Sequence, residues 1–191
     1  MRTFRILVGG WILGGAAIVL LSLGNVPAVV ARPAPQTFAL AVPQQQRSSA
    51  PILIPVRGIA PTQLRDTFTE SRGGGRRSHG AMDILAPRGT EVIAAVDGKV
   101  RKIFTSKAGG LSVYQFDVKE ERVYYYAHLD RYADGLQEGQ FLQQGQLLGY
   151  VGTTGNAPAR TPHLHFAIEA LTAEKLWWKA TPLNPYPLLL Q

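Results

Sequence analysis

All four histidines of the chain fall in three short motifs. These are His79-Gly80-Ala81-Met82-Asp83, Tyr124-Tyr125-Tyr126-Ala127-His128 and His163-Leu164-His165-Phe166. On a strand, residues two apart point to the same side, so His163 and His165 share a face while Leu164 and Phe166 turn to the core. His79 and Asp83 are four apart, a spacing that puts them on one side of a strand and also makes them neighbours on a helix. A carboxylate and an imidazole that meet a second imidazole form an N,N,O donor set. Zinc takes such a set in tetrahedral geometry and leaves the fourth position to water. Three ligands can come from His79, Asp83 and one of the paired histidines. Two histidines then remain, and a hydrolytic zinc site uses such residues to accept and donate protons.

Holding three distant motifs together requires rigid elements, and the pattern from Pro51 onward is that of strands. Val92, Ala94 and Val96 alternate ahead of Asp97-Gly98, a hairpin-turn signal. Tyr114, Phe116 and Val118 alternate, Val123 to Ala127 is a β-prone run, and Leu147 to Val151 is bounded by Gly145 and Gly152. Leu164, Phe166 and Ile168 mark one face of a last strand. Turn residues recur roughly every ten positions, which predicts an all-β antiparallel sandwich or barrel. One short helix is expected at Leu171 to Lys175. Gly73 to Gly75 and the stretch from Gly152 to Pro162 are expected to rim a groove. Trp177-Trp178 reads as a packing or edge feature rather than a substrate platform.

Composition narrows the function. With no cysteine, the chain has no disulfide framework, no thiolate metal site and no cysteine nucleophile. The net charge is +7, but Arg2, Arg5, Arg32 and Arg47 precede residue 51 and no acid does, which leaves +3 on residues 51–191. That mild excess suits a solvated surface or attraction to an anionic polymer such as cell wall. No dense basic run interleaves with aromatics, so nucleic acid is not expected as a partner. Residues 1–31 have the layout of a secretory signal peptide or an uncleaved membrane anchor: early arginines, an apolar stretch from Ile6 to Leu23, and a small-residue site at Val29-Val30-Ala31. Residues 32–50, with their prolines and the Gln44-Gln45-Gln46 run, read as a semi-extended linker. Residues 51–191 form the folded domain, placed by this leader outside the cytoplasm, in the periplasm or cell envelope.

The motifs together resemble the lysostaphin-like, LytM-type zinc metallopeptidases, whose fold is called the duplicated hybrid motif. The similarity rests on His79-Gly80-Ala81-Met82-Asp83, Tyr126-Ala127-His128-Leu129, Gly149-Tyr150-Val151-Gly152 and Pro162-His163-Leu164-His165-Phe166, and spans roughly Pro51 to Leu190. The resemblance implies His79, Asp83 and His165 as ligands of Zn2+ and His128 and His163 as the catalytic pair. It implies hydrolysis of peptide bonds in peptidoglycan. The family's last motif often continues with glutamate after the phenylalanine; here Ala167 stands there and Glu169 follows on the His165 face. Some family members have lost the ligand set and only activate other wall enzymes, whereas this sequence keeps all five residues. Two further readings compete. A lipoyl-type module would need a modifiable lysine at a hairpin tip, which Lys99 does not match. A non-haem iron oxygenase would not require the extra histidine pair.

Overall fold

Eleven strands, a 3-10 turn at Pro61–Gln63 and one short α-helix make up the regular elements of a computed structural model that describes residues 50–72 and 74–191. The expected leader, and the linker up to Ser49, lie outside the described residues. The strands are β1 (Ser71–Arg72), β2 (Arg77–Ser78), β3 (Met82–Leu85), β4 (Glu91–Ile93), β5 (Gly98–Ser106), β6 (Gly110–Asp117), β7 (Arg122–Tyr132), β8 (Phe141–Leu142), β9 (Leu147–Val151), β10 (His163–Leu171) and β11 (Ala180–Leu183). Helix α1 is Pro185–Leu189. β1 and β2 form a small ribbon, and the other nine strands share one antiparallel sheet.

The order β11-β10-β7-β6-β5-β8 is the spine of that sheet. β10 uses one edge for β7 and divides the other between β3, opposite His163 to Phe166, and β11, opposite Ile168 to Leu171. β7 changes neighbour along its length: its first part pairs with β10 as far as Ala127, and its last part pairs with β9 from Leu129. β9 in turn carries β4. The expected all-β architecture is therefore what the chain adopts.

Alternation supplies the core. Met82 and Ile84 of β3, Tyr124 and Tyr126 of β7, and Leu164, Phe166 and Ile168 of β10 are buried together. Removing one such side chain from water contributes about 1.5–3 kcal/mol. Tyr126 keeps its hydroxyl satisfied, donating to Gln115 Oε1 at 2.7 Å and accepting from the Ala95 amide at 3.0 Å. The residues of β10 that point the other way are His163, His165, Ala167 and Glu169, so one rigid strand presents a polar row on an apolar foundation.

Three local expectations are corrected. Asp97-Gly98 is not a hairpin turn: β4 ends at Ile93 and pairs with β9, while β5 pairs with β6 and β8. Gly98 answers to a close approach instead, since a Cβ there would stand 2.0 Å from the Phe116 carbonyl oxygen. Leu171 to Lys175 is not helical; Leu171 still belongs to β10 and turns follow it, while the Pro-rich tail forms α1, capped by Asn184 accepting from the Tyr186 amide. Val118 lies beyond the end of β6 and is exposed, so only Tyr114 and Phe116 of that set share a strand face.

Candidate metal centre

β3 and β10 run antiparallel with His165 directly opposite Asp83. Both side chains rise on the face away from the core, because Met82, Ile84, Leu164 and Phe166 occupy the other. His79 comes from the turn before β3 rather than from the strand itself, a difference from the same-strand reading of its spacing. The turn is held by the His79 amide bonding to the Glu70 carbonyl at 2.8 Å and by Gly80 at φ +68°. That left-handed conformation favours glycine and swings His79 back over β3.

The three side chains converge. His79 Nε2, His165 Nδ1 and Asp83 Oδ1 lie 3.1 Å from one another. Ligands 2.0–2.1 Å from a tetrahedral ion are roughly 3.3 Å apart, so this triangle matches one face of such a site. Three lone-pair donors this close repel unless a proton or cation sits among them, and the residues present therefore fit zinc.

The tautomers follow from the partners of the other ring nitrogens. His79 Nδ1 donates to the Thr67 carbonyl at 3.0 Å, which leaves Nε2 unprotonated and facing Asp83. Arg72 Nη2 also lies 3.2 Å from His79 Nδ1, but a nitrogen that donates to a carbonyl cannot accept from a guanidinium. The productive contact of Arg72 is with Asp83 Oδ2, at 2.9 Å. Thr67 serves the centre twice, since its Oγ1 accepts from the Asp83 amide at 3.0 Å. Such partners fix ring orientation and raise ligand basicity.

His128 and His163 stand beside the triangle with ring centroids 5.0 Å apart, and His128 is 5.6 Å from His165. His163 Nδ1 donates to the Thr161 carbonyl and His128 Nδ1 to the Thr154 carbonyl, each at 2.8 Å. Both rings thus offer an unprotonated Nε2 as a proton acceptor; that of His163 lies 3.8 Å from Asp83 Oδ1. Plain alternation along β7 would send His128 to the core with Tyr124 and Tyr126. It sits instead at a bulge with φ +61°, where two residues of β7 oppose one of β6, and Leu129 takes the core position. A bulge re-aims one side chain in this way.

Burial by itself would push the Asp83 carboxyl up, but when a proton takes the place of a cation among these groups, hydrogen bonds from the protonated His165 and His79 and their charge outweigh it and hold it well below the usual carboxylate range. Burial lowers His128 to about 4, against the raising effect of the Thr154 carbonyl, so this imidazole is neutral near pH 7. Burial also lowers His165 despite its contact with Asp83.

The centre opens into a groove of about 700 Å³. Arg72 and Arg77 line one rim and Asn156, Pro158 and Thr161 the other, where the two glycine-containing loops were expected. The second rim is anchored: Thr154 Oγ1 donates to the Leu129 carbonyl, and the Asn156 amide bonds to the Ala108 carbonyl. All five histidine and aspartate positions singled out in the sequence meet at this one place. Thr67, Arg72 and Thr154 were not foreseen. Thr154 and half of Thr67 act through carbonyls, which no residue type advertises, and nothing in the sequence separates Arg72 from Arg76 or Arg77.

Known proteins resemble this chain in sequence or in fold. Over 131 residues, 65% of this chain, it is 34% identical to the L-Ala–D-Glu endopeptidase of Bacillus subtilis, of which it covers 39%. Over 92 residues, 47% of this chain, it is 35% identical to the peptidoglycan DD-endopeptidase ShyC of Vibrio cholerae, of which it covers 20%. The chain thus spans well under half the length of these relatives. The catalytic domain of lysostaphin from Staphylococcus simulans superposes with a TM-score of 0.52 at 28% identity, over 62% of this chain and 83% of that domain. Residues 77–185, from the strand just before His79 to the first residue of α1, match the family model of peptidase family M23, and because that match takes in more than half of the 191 residues, the chain belongs to this family.

Proposed function

We propose that this chain is a zinc metalloendopeptidase that hydrolyses peptide bonds in bacterial peptidoglycan, acting in the cell envelope. The observation that carries the reading is the triangle of His79 Nε2, Asp83 Oδ1 and His165 Nδ1, each pair 3.1 Å apart, at the floor of an open groove. Membership of family M23 and the wall-directed names of its relatives support the substrate class. Two relatives named for bonds that involve D-amino acids favour such a bond over a polyglycine bridge. Export to the periplasm, with the leader cleaved or kept as an anchor, rests on residues 1–31; among the described residues no helix is long and apolar enough to cross a membrane.

His79, Asp83 and His165 would hold the ion, which when bound supplies Lewis acidity for the scissile carbonyl and lowers the pKa of water toward ~7. Thr67 fixes both the His79 tautomer and the backbone of Asp83, and Arg72 occupies the carboxylate oxygen turned away from the imidazoles. His163, with Nδ1 committed to the Thr161 carbonyl, takes the proton of the attacking water at Nε2. His128 is neutral at rest; the proton that His163 takes from the water passes to its Nε2, and with it His128 stabilises the oxyanion and then protonates the leaving amine. Neither step needs a covalent intermediate.

Digestion of purified wall sacculi with the zinc-loaded protein, with and without a chelator, tests the reading. Release of peptide fragments that the chelator stops is the expected result, and the fragment masses identify the bond. Intact sacculi in both arms would reject it.

A further inference from the structure

A second groove, of about 540 Å³, opens beside the metal centre and shares His79, Tyr125 and His165 with it. Its walls are aromatic. Tyr114 stacks on Tyr125 with centroids 4.4 Å apart, Trp177 leans on Tyr114 at 4.6 Å, and Trp178 meets Trp177 edge-on at 5.2 Å. Trp177 is also packed on Phe104, so it is a fixed wall, whereas Trp178 is 63% exposed and forms the lip. The sheet register explains the grouping. Tyr114 lies opposite Tyr125 and Tyr125 opposite Ala167, which places all three on the face that carries His165.

Glu169 is the charged residue of this groove. It stands four residues beyond His165 on β10, about 13 Å along the strand. Other half-buried carboxylates here have partners: Asp83 has Arg72, Asp130 has Arg131, and Asp117 accepts the amides of Glu121 and Arg122. Glu169 has none among the described residues, and burial alone acts on it, pushing its carboxyl up. Tyr114 and Tyr125 both feel its charge. Leaving a carboxylate partly out of water without a partner is costly, and a ligand that supplies the cation removes the cost. Aromatic faces attract the same kind of group. Ala167 leaves the floor between His165 and Glu169 free of any longer side chain.

We infer that this groove is a subsite for a primary ammonium group on the substrate, held between the Glu169 carboxylate and the rings of Trp177 and Tyr114. The inference rests on the reading of the metal centre as the place where a peptide bond is cut. An extended residue spans about 3.4 Å, so the amine belongs to a long side chain, such as that of an unblocked diamino acid, within two or three residues of the cleaved bond. The subsite would then favour peptides whose side-chain amine is free over those in which it is acylated.

Binding tests this without turnover. The zinc-loaded full chain is titrated with Nα-acetyl-L-lysine methylamide and with its Nε-acetyl counterpart, following the indole N–H signals of Trp177 and Trp178 by NMR. The free amine is expected to bind at least about tenfold more tightly, as a charge-assisted contact allows, and Glu169→Gln is expected to bring the two probes to parity. Unchanged indole chemical-shift dispersion in the variant shows that it is folded. Equal binding of both probes to the native protein, or a preference that survives Glu169→Gln, overturns the inference. Sacculi digestion by the same preparation separates the two readings: a protein that prefers the amine but releases no peptide refutes the endopeptidase, and one that digests sacculi without the preference refutes only the subsite.

Discussion

His165 and Asp83 face each other as directly opposed residues of β10 and β3, with Nδ1 and Oδ1 3.1 Å apart. Two residues 82 positions apart in the chain are thereby held by a backbone ladder and need no loop to bring them together. His79 then completes the triangle from a turn whose geometry is set by Gly80. The separate ways in which these residues are held lead to separate expectations.

Asp83→Asn keeps the shape of the side chain but removes the charge that offsets the ion. Changing a mere supporting partner of a ligand costs 10–100-fold in metal affinity, so loss of this ligand is expected to cost at least about 100-fold. His165→Ala is expected to do the same. Metal content after dialysis, measured beside sacculi digestion, checks both. Retention of one zinc per chain with full activity in either variant would remove that residue from the ligand set.

His128→Ala should separate binding from turnover. Its ring is oriented by the Thr154 carbonyl and touches no oxygen of Asp83 in the way the ligands do. Zinc content is expected to stay at the native level while turnover falls about 10²–10⁴-fold, the usual loss for a proton-transfer residue. A variant with native turnover would strip His128 of its role.

Acid should weaken the metal-free fold partly through this same histidine. Its pKa is lowered to about 4 in the folded chain by burial first, against an ordinary value of 6.5. The unfolded chain therefore takes up the proton at higher pH than the folded one. Stability attributable to His128 is complete above about pH 6.5 and is lost as the pH falls toward 4. Melting temperatures of the chelated protein at pH 7, 5.5 and 4 are expected to fall more steeply for the native chain than for His128→Gln. Parallel curves would contradict the assigned burial effect.

Thr67→Val keeps the carbonyl that orients His79 but deletes the hydroxyl that accepts from the Asp83 amide. An amide left without its partner costs about 1–3 kcal/mol. Zinc affinity is expected to drop about 10–100-fold, as for other groups that support a ligand, and Thr67→Ser is expected to recover most of it. Competition against a chelator of known affinity reads the change. A valine variant indistinguishable from native would show that the hydroxyl does not hold Asp83 in place.

Period two in the sequence was enough to put His163 and His165 on one face of a strand and Leu164, Phe166 and Ile168 on the other, because alternation is a local property of extended backbone. Residue types offered His79, Asp83 and one of the paired histidines as donors, the resemblance of the joined motifs singled out His165 and left His128 and His163 as the pair, and that same pattern carried the family and its all-β fold. What remained open was everything fixed by pairing between distant segments. The sequence offered Asp97-Gly98 as a hairpin, yet β4 and β5 take other neighbours and Gly98 is needed for close approach to Phe116. The direction of His128 depends on a bulge at the point where β7 passes from β10 to β9, and reading alternation alone would have turned it into the hydrophobic core, away from the metal centre. The tautomers depend on carbonyls of Thr67, Thr154 and Thr161, and every residue has a carbonyl. Chemistry is written in side-chain identity and local period, whereas the orientation of that chemistry comes from strand register and backbone hydrogen bonds, which exist only once the chain has folded.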